Sequence, residues 1–218
     1  NLTFEFVLMP LAIVAMFAGS VTAIFQTNVK RLFAYSSIAQ LGYMMLGVSL
    51  CNIPGLMATI LHIFNHALMK GALFMALGCV VYRLGAVSLG SMKGLGRRMP
   101  WTMGALTLAG LSLIGVPGTV GFISKWHLIL GTLESGYWPI AILIVGSSLL
   151  AVIYIWNIVE VAYLEKETSR EQTLKEVPMT MLAPLWVLVI LNFYFGIDTD
   201  LTTRVARNVA ATFLGGGE

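Results

Sequence analysis

Charge is scarce in this sequence: of 218 residues only 11% are Asp, Glu, Lys or Arg, where a soluble domain carries roughly 25%. With 58% hydrophobic residues and a mean hydropathy of +0.86, that scarcity excludes a soluble globule. Cysteine is scarcer still. Cys51 and Cys79 lie in apolar stretches and form no Cys-x-x-Cys pair, which excludes a disulfide framework and a cysteine metal site and leaves two small core residues. The net charge of +3, from 13 Lys+Arg against 10 Asp+Glu, is too small and too scattered for a nucleic-acid surface. There is no Gly-rich dinucleotide loop, iron–sulfur cysteine set or haem motif, so no cofactor is expected and any redox step would lie in another chain. The chain opens at Asn1 without an initiator Met or the layout of a signal peptide, as a piece of a longer protein does.

What is abundant is long apolar runs. They extend from about Val7 to Phe25, Leu32 to Leu50, Leu56 to Leu84, Trp101 to Gly131, Trp138 to Leu164 and Pro178 to Phe195. A spanning helix needs about 20 such residues, so the expected fold is all-α: a polytopic membrane bundle of six transmembrane helices forming one domain over residues 1–218. The connections carry the basic residues unevenly. Lys30 and Arg31 follow the first span, Arg83, Lys93, Arg97 and Arg98 the third, and Lys166, Arg170 and Lys175 the fifth, while the connections around Asn52 and Glu134 have none. The positive-inside rule places the three basic loops in the cytoplasm and both ends of the chain outside. Trp101, Tyr137, Trp138 and Tyr194 suit the interfacial belts, and the tail from Asp200 to Leu214, with Arg204 and Arg207, has the alternation of an interfacial amphipathic helix.

Two lysines are left inside the spans, Lys70 and Lys125. An uncompensated lysine at the bilayer centre costs about 2.5–3.5 kcal/mol on the insertion scale, so each is expected to face a protein interior or a hydrated path. In the third span His62, His66 and Lys70 recur every fourth residue, which puts them on one helix face about 6 Å apart. Three groups that bind and release protons in register point to proton hopping rather than to isolated hydrogen bonding. His-x-x-x-His can also chelate zinc, but the Glu of His-Glu-x-x-His and any cysteine ligand are missing, so no metal is expected.

The fourth span contains Gly115-Val116-Pro117-Gly118-Thr119-Val120-Gly121, followed by Lys125. Pro117 removes a backbone donor, and Gly115, Gly118 and Gly121 remove the resistance to unwinding, so a broken helix is predicted, of the kind at which transporters handle ions or protons. Lys30 at the end of the first span is explained by orientation alone. Glu160, near the cytoplasmic end of the fifth, is either a counter-charge to a lysine, an access-point carboxylate, or simply solvated.

Three stretches together, Lys30 to Met44 (Lys-Arg-Leu-Phe-Ala-Tyr-Ser-Ser-Ile-Ala-Gln-Leu-Gly-Tyr-Met), His62 to Phe74 and Gly115 to Trp126, resemble the antiporter-like proton-translocating subunits shared by respiratory complex I, membrane-bound hydrogenases and the Mrp multisubunit sodium/proton antiporters. The resemblance covers most of the chain. It implies the C-terminal part of a fourteen-helix subunit built from inverted five-helix repeats, with a hydrated row of lysines, histidines and glutamates at the midplane. By the same resemblance Lys125 matches the charged residue of the second broken helix, His62, His66 and Lys70 match the relay before it, and Lys30 matches the central lysine linking two half-channels. The implied partners are other membrane subunits of a hetero-oligomeric complex, the lipid bilayer, protons and Na+; the implied location is a bacterial inner membrane. The M-type subunit of complex I usually has glutamate at the place of Lys125, and N-type subunits usually lack the histidine ladder. The run Gly121 to Trp126 followed by Trp156 to Tyr163 looks most like Mrp D-type subunits, which implies a transporter subunit of a sodium/proton antiporter; the alternative is a proton-pumping subunit of complex I or a hydrogenase.

Overall fold

The computed structural model describes residues 2–85, 87–165 and 175–215. An α-helix occupies each of the six apolar stretches, and among the described residues there is no strand, only an isolated bridge between Asn28 and Ser88. The helices are α1 (Leu2–Ile24), α2 (Val29–Ser49), α3 (Ile53–Leu84), α4 (Leu95–Arg98), α5 (Pro100–Ile114), α6 (Val120–Glu134), α7 (Trp138–Tyr163), α8 (Met179–Ile197) and α9 (Asp200–Phe213). By length and composition, α3, α7, α8 and the Glu5–Ile24 part of α1 can cross a membrane. The fourth apolar stretch is interrupted as predicted, giving two 15-residue half-helices, α5 and α6.

Helix ends follow local chemistry. Asn28 caps α2, its side-chain oxygen accepting the N–H groups of Lys30 at 3.0 Å and Arg31 at 3.2 Å. Asn52 caps α3 through the N–H of Gly55 at 2.7 Å, while its amide nitrogen donates to the Gly131 carbonyl at 2.7 Å and to Ser135 Oγ at 2.9 Å. One side chain thereby ties the start of α3 to the end of α6. α1 and α2 approach closely where Gly19 faces α2: a Cβ there would meet the Ala39 nitrogen at 2.6 Å. Small residues of this kind let helices pack tightly where lipid supplies no hydrophobic drive.

The core lies where α2, α3, α5, α7 and α8 meet, around the fully buried Phe33, Leu73, Met103, Tyr154 and Leu185. Outward faces stay apolar, as with Val14 on α1, Leu149 on α7 and Ile190 on α8, all about 60% exposed. The basic connections gather at one end of the bundle. Val29 N–H bonds the Val87 carbonyl at 2.9 Å, Leu89 N–H bonds that of Thr27 at 2.9 Å, and Lys93 pairs with Glu165 at 2.8 Å. At the same end Arg83 donates to the Glu176 carbonyl, and the Glu176 carboxylate takes the Trp101 N–H at 3.0 Å, a negative charge at the start of α5. Lys166 and Arg170 lie outside the described residues.

One connection differs from the expectation. The Gly-rich basic segment after α3 is a folded cap rather than an open loop: a 3-10 turn at Leu89–Met92 and the short α4 bury Met92, Leu95 and Met99 almost completely. Three apolar residues spaced three and four apart among glycines and arginines carry too weak a periodicity to announce this. The tail is helical, as α9, and docks on α3 through Ala206 and Ala210 against Met57 and Leu61.

Candidate functional site

α5 ends at Gly115, whose left-handed backbone (φ 95°) stops the helix, and Gly118 turns the chain again at φ 87° before α6 begins. The two half-helices then overlap rather than abut. A Cβ at Gly121 would collide with the Ser112 carbonyl, so glycine is what allows the first turn of α6 to lie against the last turn of α5. Neighbouring helices fix the break. Asn65 on α3 donates to the Val120 carbonyl at 2.7 Å, and the fully buried Asn192 on α8 accepts the Ser112 hydroxyl at 2.9 Å and donates to Leu188 at 2.8 Å.

Breaking a helix exposes carbonyls with no partner in the chain. Lys125, on α6, folds back and donates to two of them, Leu113 at 3.0 Å and Ile114 at 2.8 Å. The ammonium sits at the negative end of α5, where a cation is favoured, and 5.0 Å from the centre of the Tyr43 ring. Lys125 is 6% exposed. A small cavity of about 170 Å³, lined by Gly115, Phe122, Trp126, Ile144 and Ser148, reaches it from the α7 side; the larger cavities lie away from the lysines.

The predicted ladder on α3 is present and is lined on its other side by α2. His62 is buried, with Nδ1 2.7 Å from Ser124 Oγ and Nε2 2.9 Å from Gln40 Oε1. Its ring lies parallel to that of His66, centroids 6.2 Å apart and planes 4° apart. His66 is half-buried, and its Nε2 is buried without a hydrogen-bond partner. Lys70, 7% exposed, donates to the Phe33 carbonyl at 2.7 Å and to Ser36 Oγ, with the Phe33 and Phe74 rings 5.6 and 5.9 Å from its nitrogen. Ser124 adjoins Lys125 in sequence, so the bond from His62 to Ser124 joins the ladder to the broken helix.

The structure thus brings Lys70, His66, His62 and Lys125 into one buried polar row and leaves two expected residues outside it. Lys30 is exposed at the basic end of α2, and Glu160 is exposed near the same end of α7, next to Val161, whose carbonyl bonds Gly94. Among the described residues no three His, Cys, Asp or Glu side chains gather as metal ligands. Sequence reasoning missed Ser36, Gln40, Tyr43, Ser124 and Tyr154, the neutral groups around the row. The signal for the α2 members was the spacing of Ser36, Gln40 and Tyr43, four and three residues apart, which puts an amide and two hydroxyls on one face of an apolar helix.

Residues 2–190 match the protein-family model described as NADH:quinone oxidoreductase/Mrp antiporter, TM. Among curated relatives, NADH-quinone oxidoreductase subunit N of Desulforudis audaxviator (strain MP104C) is 41% identical over 79% of this chain and 37% of its own length. F(420)H(2) dehydrogenase subunit N of Methanosarcina mazei is 31% identical over 94% of this chain and 43% of its own length. The chain therefore spans about two fifths of the curated relatives it matches. Among solved structures, a chain of the Mrp complex from Dietzia sp. DQ12-45-1b shares the fold with a TM-score of 0.88 at 22% identity, over 97% of this chain and 49% of that one. A chain of respiratory complex I from Thermus thermophilus does so with a TM-score of 0.86 at 22% identity, over 98% and 45%.

Proposed function

Since the chain belongs to the NADH:quinone oxidoreductase/Mrp antiporter transmembrane family, we propose that it forms part of a proton-translocating membrane subunit that passes protons along Lys70, His66, His62 and Lys125. The observation that carries this reading is the pair of buried ammonium groups, resting on carbonyls and a hydroxyl, with the stacked His62 and His66 between them on α3 and His62 bonded to Ser124 next to Lys125. Two such charges inside an apolar bundle are costly, which makes a function for them the default reading. Each member can hold a proton and hand it on, and His66 Nε2, unpaired between the lysines, is the group free to receive one. Lys30 and Glu160, exposed at the basic end, are in this reading access groups rather than members of the row. That end faces the cytoplasm by its excess of Lys and Arg, with the protein in a bacterial cell membrane and joined to other membrane subunits.

Two cellular roles suit such a row. Subunit N of quinone oxidoreductases, as named among the relatives, favours a respiratory complex in which redox chemistry elsewhere drives the protons. A sodium/proton antiporter is the reading favoured by the resemblance of Gly121 to Trp126 and Trp156 to Tyr163 to Mrp D-type subunits. The test uses everted vesicles containing the full-length subunit with its partner subunits, energised by a respiratory donor and monitored with a pH-sensitive dye. Acidification that depends on this subunit and is lost in Lys125→Ala supports the oxidoreductase role. Collapse of the pH gradient on adding Na+, absent in Lys125→Ala, supports the antiporter. Normal responses in Lys125→Ala with normal assembly refute the relay.

A further inference from the structure

In a continuous helix the Leu113 carbonyl would accept the N–H four residues on, but that residue is Pro117 and has none, and Gly118, the partner that the Ile114 carbonyl would need, has turned away at φ 87°. Both carbonyls go to Lys125 instead, at 3.0 and 2.8 Å. An ammonium has three N–H groups, so the carbonyls use two and leave one. Among the described residues no carboxylate or further oxygen stands at bonding distance to take it. What lies beside it is an aromatic face: the nitrogen sits over the Tyr43 ring, 5.0 Å from its centre.

Tyr43 is buried and held in that place by two other helices. Ser148 Oγ on α7 gives its own proton to the Ile144 carbonyl at 3.0 Å, so across the 3.3 Å to the Tyr43 hydroxyl the serine accepts and the phenol donates. On α3 the His62 ring packs against the tyrosine ring, centroids 5.9 Å apart and planes tilted by 56°. One ring therefore touches both the ladder and the lysine of the break.

The two kinds of partner respond differently to charge. A neutral amine keeps two N–H groups for the two carbonyls, so losing a proton need break neither bond. It then turns a lone pair rather than an N–H towards the ring face, which is the negative side of the aromatic quadrupole. The carbonyls serve both forms of Lys125, and the ring serves only the cation.

We propose that Tyr43 is a positioning residue for proton binding at Lys125, its ring face holding the lysine in the charged form at the break until the proton is passed on. The phenol keeps its own proton throughout, tied to Ser148. The inference rests on the relay reading above. The titratable groups around this pair are His62, His66 and Lys70 of α3, Tyr35 of α2 and Tyr154 of α7, with His127 and Glu134 further along α6. α5 carries none; Lys30, Arg31, Arg83 and Glu160 lie towards the basic end, and Tyr194 of α8 and the charged residues of α9 towards the opposite end.

The experiment follows proton translocation across pH in everted vesicles carrying the assembled complex, in wild type, Lys125→Ala, Tyr43→Phe, Tyr43→Leu and chains with mono-, di- or trifluorinated phenylalanine at position 43. Fluorine drains negative charge from the ring face and keeps the ring's shape, so the series separates electrostatics from packing even where Tyr43→Leu fails to assemble. The pH at which translocation falls to half on the alkaline side is expected near the wild-type value in Tyr43→Phe, lower with each added fluorine, and roughly one unit lower in Tyr43→Leu, a tenfold loss in proton binding. The sign follows from the ring favouring the cation, since without it the proton leaves at a lower pH. Solid-state NMR of lysine labelled at Nζ reads the change from ammonium to amine directly, in the resonance that Lys125→Ala removes, and its midpoint is expected to follow the fluorine count in the same order. A midpoint that ignores the fluorine count in either measurement, while Lys125→Ala stops translocation, overturns this inference and leaves the relay standing. Normal translocation in Lys125→Ala overturns the relay, and this inference with it.

Discussion

The two buried lysines solve one physical problem in two ways. Both ammonium groups are out of water, and each rests on oxygen atoms rather than on a carboxylate at bonding distance. Lys125 is held by carbonyls that a broken helix exposes, acceptors that can never become donors. Lys70 is held beside an unbroken helix, where the i−4 ladder leaves few free carbonyls, and one of its two partners is the hydroxyl of Ser36. A hydroxyl can reverse its role and so can serve both the charged and the neutral lysine. Each lysine has two oxygen partners, as many as the N–H donors of a neutral amine, so both can keep them when a proton leaves; the two sites differ in that only Ser36 can also donate in return.

The largest expected effect removes the cation from the break. Lys125→Ala should lower proton translocation by about 100-fold or more, the range typical of a lost acid–base group, with assembly kept because Asn65 and Asn192 still fix the break; vesicle acidification together with complex yield checks this. Next comes the break itself. Gly121→Ala drives a Cβ into the Ser112 carbonyl, which belongs to backbone and cannot swing aside. It should cost about 1–3 kcal/mol of stability and separate Lys125 from the Leu113 and Ile114 carbonyls, lowering the melting temperature of the purified complex and the transport rate together. Gly104→Ala on α5, where a Cβ meets nothing within 4 Å, is the control and should leave both unchanged or slightly raised.

A smaller effect separates relay from packing. His66→Leu should slow translocation roughly tenfold, since one proton-handling group of several is lost, with little change in thermal stability. Leu68→Ala, two residues on and buried at 9% exposure, should cost about 2–3 kcal/mol of stability and leave the turnover of assembled complex near normal. Equal effects on rate in the two variants would mean that the α3 face acts by packing.

How much of this was legible in the sequence follows from which forces write strong local signals. Long apolar runs write the helices, and proline among glycines writes the break, because lipid punishes every exception. Lys70 and Lys125 stood out for the same reason. The neutral partners did not: Ser36, Ser124 and Tyr154 are tolerated at many places in a membrane helix, and only the register between α2, α3, α6 and α7 shows that they converge. Lys30 was drawn into the row by resemblance, whereas its position in the first turn of α2, capped by Asn28, leaves it exposed at the basic end. The cap of Met92, Leu95 and Met99 was hidden because each apolar residue is isolated among glycine and arginine and finds its partners only in other helices.

The smallest expected effect sharpens the comparison with a third lysine. Lys93 has what neither buried lysine has in contact, a carboxylate at 2.8 Å, that of Glu165, yet both side chains are about 40% exposed. Water already stabilises each charge there, and holding two long side chains together costs conformational entropy, so the pair contributes little. Lys93→Ala should change stability by no more than about 0.5 kcal/mol and leave proton translocation as it is, measured in the same melting and vesicle assays at low and high salt. A large loss of transport in Lys93→Ala would mean that protons are gathered at the basic end by charge pairs, and the row would then begin at the surface rather than at Lys70. An unchanged rate, set against the loss in Lys125→Ala, would show that what matters for a lysine here is the absence of water around it and not the presence of an acid beside it.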